Sequence, residues 1–177
     1  MTTRNRAIAL VVIQCALVSS IAAKYLYERA TRPRVWVRVT QYDPNLPLRG
    51  RYLALTPMVD ACDFKNLPPA KTTRPQARGD YQVRLVARNG KLTAEDAGDG
   101  LPRGQYYWLV LNPWMSCEQA PVSVSIDYFV PENANSPFPL KPGQELWAEV
   151  TVPPAGPPRV IQLAISENGK WQVLKFE

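Results

Sequence analysis

The chain has 177 residues, a length that is enough for one ordinary domain and a small appendage. Of these residues 46% are hydrophobic, 18 are prolines and 9 are glycines, and the formal net charge is +6. Residues 1–34 hold six basic groups against one acidic group, whereas the rest holds 15 against 14. The excess of basic residues thus lies beside the apolar segment near the N-terminus. This placement is typical of the flanks of a membrane span and argues against nucleic-acid binding. The absence of histidine removes the usual general base and the commonest metal ligand, so we expect no metal and no cofactor.

The first element is a nearly charge-free run over residues 7–23. It lies at the short end of the roughly 17–25 residues that span a bilayer. Tyr25 and Tyr27, just beyond Lys24, extend it as interfacial anchors, and the Lys24 side chain snorkels to the interface. The sequence therefore predicts an uncleaved membrane anchor with basic flanks in residues 1–30.

A cleaved signal peptide is the alternative, because Arg4 and Arg6 precede the apolar run and small residues end it. The orientation is also open from charge alone. More Lys and Arg follow the run than precede it, which by the positive-inside rule keeps the next domain in the cytoplasm. A short basic tail leading directly into an apolar run favours export instead, and we predict export.

From residue 35 onward the hydrophobic period is two, which predicts strands. Residues 35–40 alternate, and so do residues 122–129. The latter place four apolar side chains on one face: Val122, Val124, Ile126 and Tyr128. Further strand-like runs occupy residues 105–111 and 145–152.

Two Asn-Gly pairs, Asn89-Gly90 and Asn168-Gly169, each stand between strand-like runs and predict type I′ hairpins. The total is eight or nine short strands separated by turns rich in Pro and Gly. Residues 35–177 are therefore predicted to form an all-β extramembrane domain, an antiparallel β-sandwich or partly closed barrel.

The three cysteines are Cys15 in the apolar segment, Cys62 and Cys117. Their spacing matches no metal-binding pattern. A disulfide between Cys62 and Cys117 is expected if the domain lies outside the cytoplasm, whereas two unrelated buried thiols are the alternative.

The stretch DPNLPLRGRYLAL, residues 43–55, predicts a sharp bend before a strand. The Asp43 carboxylate accepts backbone N–H groups in the turn that Asp43-Pro44 begins. Gly50 permits a positive φ or a close backbone approach, and the chain then re-enters the sheet. The new strand is anchored by Tyr52, Leu53 and Leu55.

These residues resemble the GDYXXLXY-domain family of small membrane-anchored bacterial proteins. Three positions of the family motif match here, namely Gly50, Tyr52 and Leu55. Asp43-Pro44 and Arg49 also match what precedes the motif in the family. Arg51 stands where the family has aspartate, and Pro57 stands where it has the last tyrosine, so no role of that aspartate is carried over.

A second block, YFVPE at residues 128–132, is similar to a segment of the same family. The resemblance implies a single-pass protein of the bacterial inner membrane with its β domain in the periplasm, and it implies no enzymatic activity. We expect the domain to bind or scaffold a polytopic membrane protein or another envelope protein beside the lipid bilayer. The alternative is an exported soluble enzyme, a hydrolase using carboxylates and tyrosines, released after signal cleavage.

Two groups of residues are candidate binding sites, and no catalytic residue is assigned. The group at the bend would bind an anionic ligand or an acidic patch and consists of Asp43, Arg49, Gly50, Arg51 and Tyr52. The second, an aromatic strand end beside a long loop, consists of Tyr128, Phe129 and Glu132. Solvent-facing positions in a turn are expected for Glu95, Asp96 and Asp99. Packing in the core or on a sheet, rather than a role as a ligand platform, is expected for Trp36, Trp108, Trp114, Trp147 and Trp171.

Overall fold

The computed structural model describes residues 3–41, 52–64, 79–98, 100–102, 104–111, 115–131 and 137–176. The chain divides into two compact units, Met1–Arg32 and Pro33–Glu177.

The first unit is one helix, α1 (Thr3–Thr31). At about 1.5 Å per residue it is longer than the roughly 30 Å hydrocarbon core of a bilayer. Its large hydrophobic residues are more than half exposed, from Tyr25 at 51% to Leu26 at 67%. The Ser20 hydroxyl donates to the Leu17 carbonyl at 2.8 Å, so this polar side chain is satisfied within the helix. The helix is long and apolar enough to cross a membrane, a property that membrane anchors share with signal sequences.

The second unit is built from strands. The described residues contain β1 (Arg34–Gln41), β2 (Tyr52–Val59), β3 (Gly79–Arg88), β4 (Lys91–Asp96), β5 (Tyr107–Leu111), β6 (Ala120–Pro121), β7 (Ile126–Phe129), β8 (Gln144–Thr151), β9 (Arg159–Glu167) and β10 (Lys170–Val173). The larger antiparallel sheet has the order β10-β9-β8-β1-β2, with β6 and β7 on the free edge of β2. The smaller has the order β4-β3-β5. The predicted all-β sandwich with one N-terminal helix is confirmed.

The core lies between the two sheets because alternate residues of each strand point inward. On β1 the inward residues are Val35, Val37 and Val39. Both sheets contribute fully buried side chains, among them Leu55, Leu109, Leu146 and Leu163. Burial of one such leucine is worth about 1.5–3 kcal/mol, so the alternation seen in the sequence fixes which face of each strand turns inward.

Both predicted hairpin turns are present. Asn89 and Gly90 have φ of 51° and 75° between β3 and β4, and Asn168 and Gly169 have φ of 51° and 77° between β9 and β10. Two successive positive φ angles define the type I′ turn, whose twist matches that of the flanking strands.

The prediction of one strand over residues 122–129 is wrong. The chain pairs with β2 at β6, then leaves it, and the amide of Ser123 donates to the Trp108 carbonyl of β5 at 2.7 Å. It returns to β2 only at β7. The segment thus crosses from one sheet to the other and back, although Val122 and Ile126 are both buried as the alternation requires.

A disulfide joins Cys62 and Cys117, whose Cα atoms are 4.7 Å apart. Cys62 begins a short 3-10 helix after β2, and Cys117 begins another before β6. The amide of Ala61 donates to the Cys117 carbonyl at 2.8 Å, so a backbone hydrogen bond supports the covalent link.

Replacing Cys62 and Cys117 together by serine is expected to lower the free energy of unfolding by about 4 kcal/mol, because the unfolded chain loses a cross-link between positions 55 residues apart. Urea unfolding of the detergent-solubilised chain, followed by tryptophan fluorescence, measures this change. Reduced wild-type protein should unfold at the midpoint of the double variant. An unchanged midpoint in the variant would contradict the expectation.

Candidate functional site

The structure places part of the predicted sites. Four residues of the bend group and Glu132 of the second group lie outside the described residues: Asp43, Arg49, Gly50, Arg51 and Glu132. Tyr52 begins β2, where the chain was predicted to re-enter the sheet. Leu53 and Leu55 anchor this strand in the core, but the Tyr52 ring does not, because it lies on the outward face.

One residue from each predicted group meets in an exposed aromatic pair. Tyr52 and Phe129 are directly opposite each other on β2 and β7, with ring centroids 5.4 Å apart and an edge-to-face geometry. Their side chains are 54% and 61% exposed. Tyr128, one residue earlier on β7, instead packs against Phe176 with centroids 5.6 Å apart. Of the predicted site residues that the structure describes, the pair Tyr52–Phe129 is therefore the part that is open to a partner.

Three tryptophans form a cluster on the outer face of the larger sheet. Trp36 of β1 lies edge-to-face with Trp171 of β10 at 5.5 Å, and Trp147 of β8 lies 4.9 Å from Trp171. These three rings pack on a sheet, as expected, but outside the core, and Trp171 is 50% exposed. Aromatic pairs of this geometry are worth about 0.5–1.5 kcal/mol each beyond their buried area.

The tryptophan cluster leads into a cleft of about 130 Å³. Its apolar wall includes Trp36, Met58 and Trp147. Its polar wall consists of Arg38, Asp60, Lys91, Glu118 and Gln119. The cleft thus combines aromatic surface with an amide and with charged side chains of both signs that can form hydrogen bonds. Aromatic surface with a few polar groups is the usual composition of a small-molecule site.

A hydrogen-bonded chain fixes one side of this cleft. Arg38 donates from Nη1 to the side-chain oxygen of Gln119 and lies 3.3 Å from the Glu145 carboxylate. The other oxygen of Glu145 accepts from Nε1 of Trp147 at 3.2 Å. The guanidinium and the indole are therefore held by a shared carboxylate.

The opposite side of the cleft is tied to the disulfide. Asp60 accepts from the amide of Cys62 at 3.2 Å, and its second oxygen lies 3.8 Å from Nζ of Lys91. Glu118 and Gln119 follow Cys117 in its 3-10 helix. Within the part of the chain that the structure describes, the exposed Glu118 carboxylate has no ion-pair or hydrogen-bond partner.

The sequence interpretation missed this cleft. A partial signal exists, because Trp36 and Arg38 alternate with buried valines on β1, and Glu145 and Trp147 alternate with buried residues on β8. Such alternation marks an outer face that carries both aromatic and charged groups. Nothing local connects Arg38 with Gln119, which is 81 residues away.

The described residues contain no group of three or more acidic or cysteine side chains placed to hold a metal ion. Glu95 was expected in a solvent-facing turn, and this is wrong: it lies in β4, with its carboxylate partly buried between the guanidinium groups of Arg84, at 2.8 Å, and Arg88. The cross-strand pairing of β3 with β4 brings these charges together.

Burial perturbs the pKa of Tyr107. Its hydroxyl oxygen is buried and has no hydrogen-bond partner among the described residues, and burial raises its pKa above the ordinary value of 10.0. The hydroxyl therefore stays protonated at neutral pH, and the ring packs against the hydrophobic core.

No protein-family model matches the chain, and no curated protein or solved structure matches it either. The likeness to the GDYXXLXY-domain family rests on the residues quoted above and stays a prediction.

Replacing Tyr107 by phenylalanine removes a buried hydroxyl that has no partner among the described residues, so we expect the free energy of unfolding at pH 7 to rise by about 1 kcal/mol. Because burial disfavours the phenolate, the folded state loses stability through Tyr107 as the pH rises above about 10, the ordinary pKa, and through the higher folded-state pKa, whereas below about pH 10 there is no such loss. The variant should lose less stability above pH 10, as measured by urea unfolding at pH 7 and pH 10.5.

Tyr106→Phe is the matched control, because this neighbouring ring packs edge-to-face on Trp108 at 6.1 Å. Equal effects of the two substitutions would contradict the interpretation of Tyr107.

Proposed function

We propose that this is a single-span protein of the bacterial inner membrane whose β unit is exported to the periplasm, where it binds or scaffolds a polytopic membrane protein or another envelope protein. The observation that carries the proposal is the exposure of the apolar side chains around α1, since none of its most apolar window is buried. Water solvates such a surface poorly, and a bilayer solvates it well.

The disulfide supports export. Structural disulfides persist in the periplasm and on cell surfaces and are rare in the reducing cytosol. Cys62 and Cys117 are joined in the structure, with a backbone hydrogen bond across the same junction. The disulfide therefore favours export, as the short basic tail before the apolar run predicts. It argues against the cytoplasmic location that the positive-inside rule gives when Lys and Arg are counted on the two sides of the run.

The exposed pair Tyr52–Phe129 supports a binding role. Aromatic residues supply large apolar area at little conformational cost and dominate the binding energy of many protein interfaces. The pair lies toward the Gln41 end of β1, opposite the end at which Pro33 leads into the strand. β7 is only four residues long and carries the charged Asp127. A short, charged edge strand disfavours non-specific pairing with a strand of another protein. We therefore expect recognition through side chains.

Intact mass measured on protein extracted from membranes, without reductant and with free thiols blocked, tests the proposed location. We expect the full-length mass with at most one label, on Cys15, because Cys62 and Cys117 are bonded to each other. Loss of roughly the first 22 residues would indicate signal cleavage and refute the tether. Full length with three labels would refute export.

Photo-cross-linking tests the proposed binding edge. Benzoylphenylalanine in place of Phe129 is expected to give a discrete adduct with a membrane or envelope protein in intact cells, because this ring is 61% exposed beside Tyr52. The control replaces Trp108, an aromatic residue that is 39% exposed on the smaller sheet. Adducts of the same identity and yield at both positions would count against a specific edge.

A further inference from the structure

We propose that the cleft beside the tryptophan cluster binds one neutral sugar ring of a glycan chain. This inference goes beyond the proposed function and does not depend on what Tyr52 and Phe129 contact. It starts from the composition of the cleft, which joins two indole rings, Trp36 and Trp147, to a wall of charged and amide side chains.

The charge of the cleft argues against an anionic ligand. Two cationic and two anionic side chains line it: Arg38, Lys91, Asp60 and Glu118. Both cations already face carboxylates, Arg38 at 3.3 Å from Glu145 and Lys91 at 3.8 Å from Asp60. An added phosphate or carboxylate would meet cations that carboxylates already partly neutralise and would be repelled by Glu118, which has no ion-pair partner among the described residues, whereas a neutral ligand meets no such repulsion.

The hydrogen-bonding groups suit hydroxyls. A sugar hydroxyl both donates and accepts, so it can donate to the Glu118 carboxylate and accept from the amide nitrogen of Gln119, whose oxygen already accepts from Arg38. Because Glu118 has no side-chain partner among the described residues, no existing bond has to break. A purely apolar ligand would instead desolvate these groups without replacing their bonds to water.

The aromatic wall suits the other face of a sugar. A pyranose ring presents a patch of C–H groups, which carry partial positive charge, and an indole face carries the negative part of its quadrupole. Trp147 is fixed for this contact on two sides, by its Nε1 bond to Glu145 and by Trp171 at 4.9 Å. Trp36 is held by the same Trp171 ring at 5.5 Å. Trp171 is thus a positioning residue for both.

The size of the cleft limits what it takes. At about 130 Å³ it is smaller than the roughly 300–1,000 Å³ of pockets that enclose a drug-sized ligand. It therefore accepts one ring, with the rest of the glycan in solvent. Contact over one ring is expected to give a Kd near 1 mM.

Saturation-transfer NMR on the full-length chain tests the proposal. The protein is held in a polyoxyethylene detergent that carries no sugar, and the probes are the trimers of N-acetylglucosamine and of glucose. We expect at least one trimer to receive saturation, most strongly at the C–H protons of one ring face, with a Kd near 1 mM. The preferred trimer tells whether an acetamido group belongs to the recognised unit.

Variants distinguish the cleft from other aromatic surface. Trp147→Ala is expected to weaken binding at least about tenfold, and Glu118→Ala by about threefold. Glu118 is exposed and serves as the variant that leaves folding intact. Trp108→Ala, which removes an exposed tryptophan of the smaller sheet, should leave the Kd within about twofold. Thermal unfolding of each variant verifies that it is folded.

Several results would overturn the proposal. One is the absence of saturation in both trimers up to 20 mM. Another is equal weakening by Trp108→Ala and Glu118→Ala. A third is saturation of arginine amide, added as a cationic probe, in the absence of any sugar signal, because the cleft would then recognise a basic side chain of a partner protein.

Discussion

The junction made by Cys62 and Cys117 is the constraint on which the arrangement of the outer surface depends. It links the segment after β2 to the segment before β6 and is reinforced by the Ala61 amide. The two residues after Cys117 are Glu118 and Gln119, which line the cleft. A short 3-10 helix makes few internal hydrogen bonds and does not hold a position by itself. The disulfide therefore fixes the positions of Glu118 and Gln119, which the short helix alone would not hold in place.

The same strands build the core and the cleft. Alternation along β1 sends Val35 and Val37 inward and Trp36 and Arg38 outward. Register is consequently shared: a slip of one residue would expose the valines and bury the guanidinium, at a cost of several kcal/mol. The stability of the core thus also holds the outward side chains in place, which is a form of preorganisation that the cleft obtains from the fold.

The sequence predicts structure that depends on neighbouring residues better than contacts between residues far apart in the chain. The hairpin at Asn89-Gly90 is local, since its turn residues and flanking alternation stand within a few positions of each other. Tyr52 and Phe129 are paired in space but far apart in the sequence. The only hint of this pairing was that each lies in a segment that resembles the GDYXXLXY-domain family. The contact of Arg38 with Gln119 had no hint at all, because it depends on the pairing of β6 with β2 directly after Gln119, which alternation alone does not reveal.

The distribution of charge bears on how the β unit recognises anything. The basic excess belongs to residues 1–34, whereas the rest of the chain is nearly neutral, with 15 basic and 14 acidic groups. Attraction to anionic lipid headgroups is therefore a property of the flanks of α1, and it falls off within a Debye length of about 8–10 Å. A nearly neutral β unit has little long-range field with which to steer a charged partner. The recognition proposed for it would therefore rest on short-range contact, which the exposed aromatic rings and the cleft can supply.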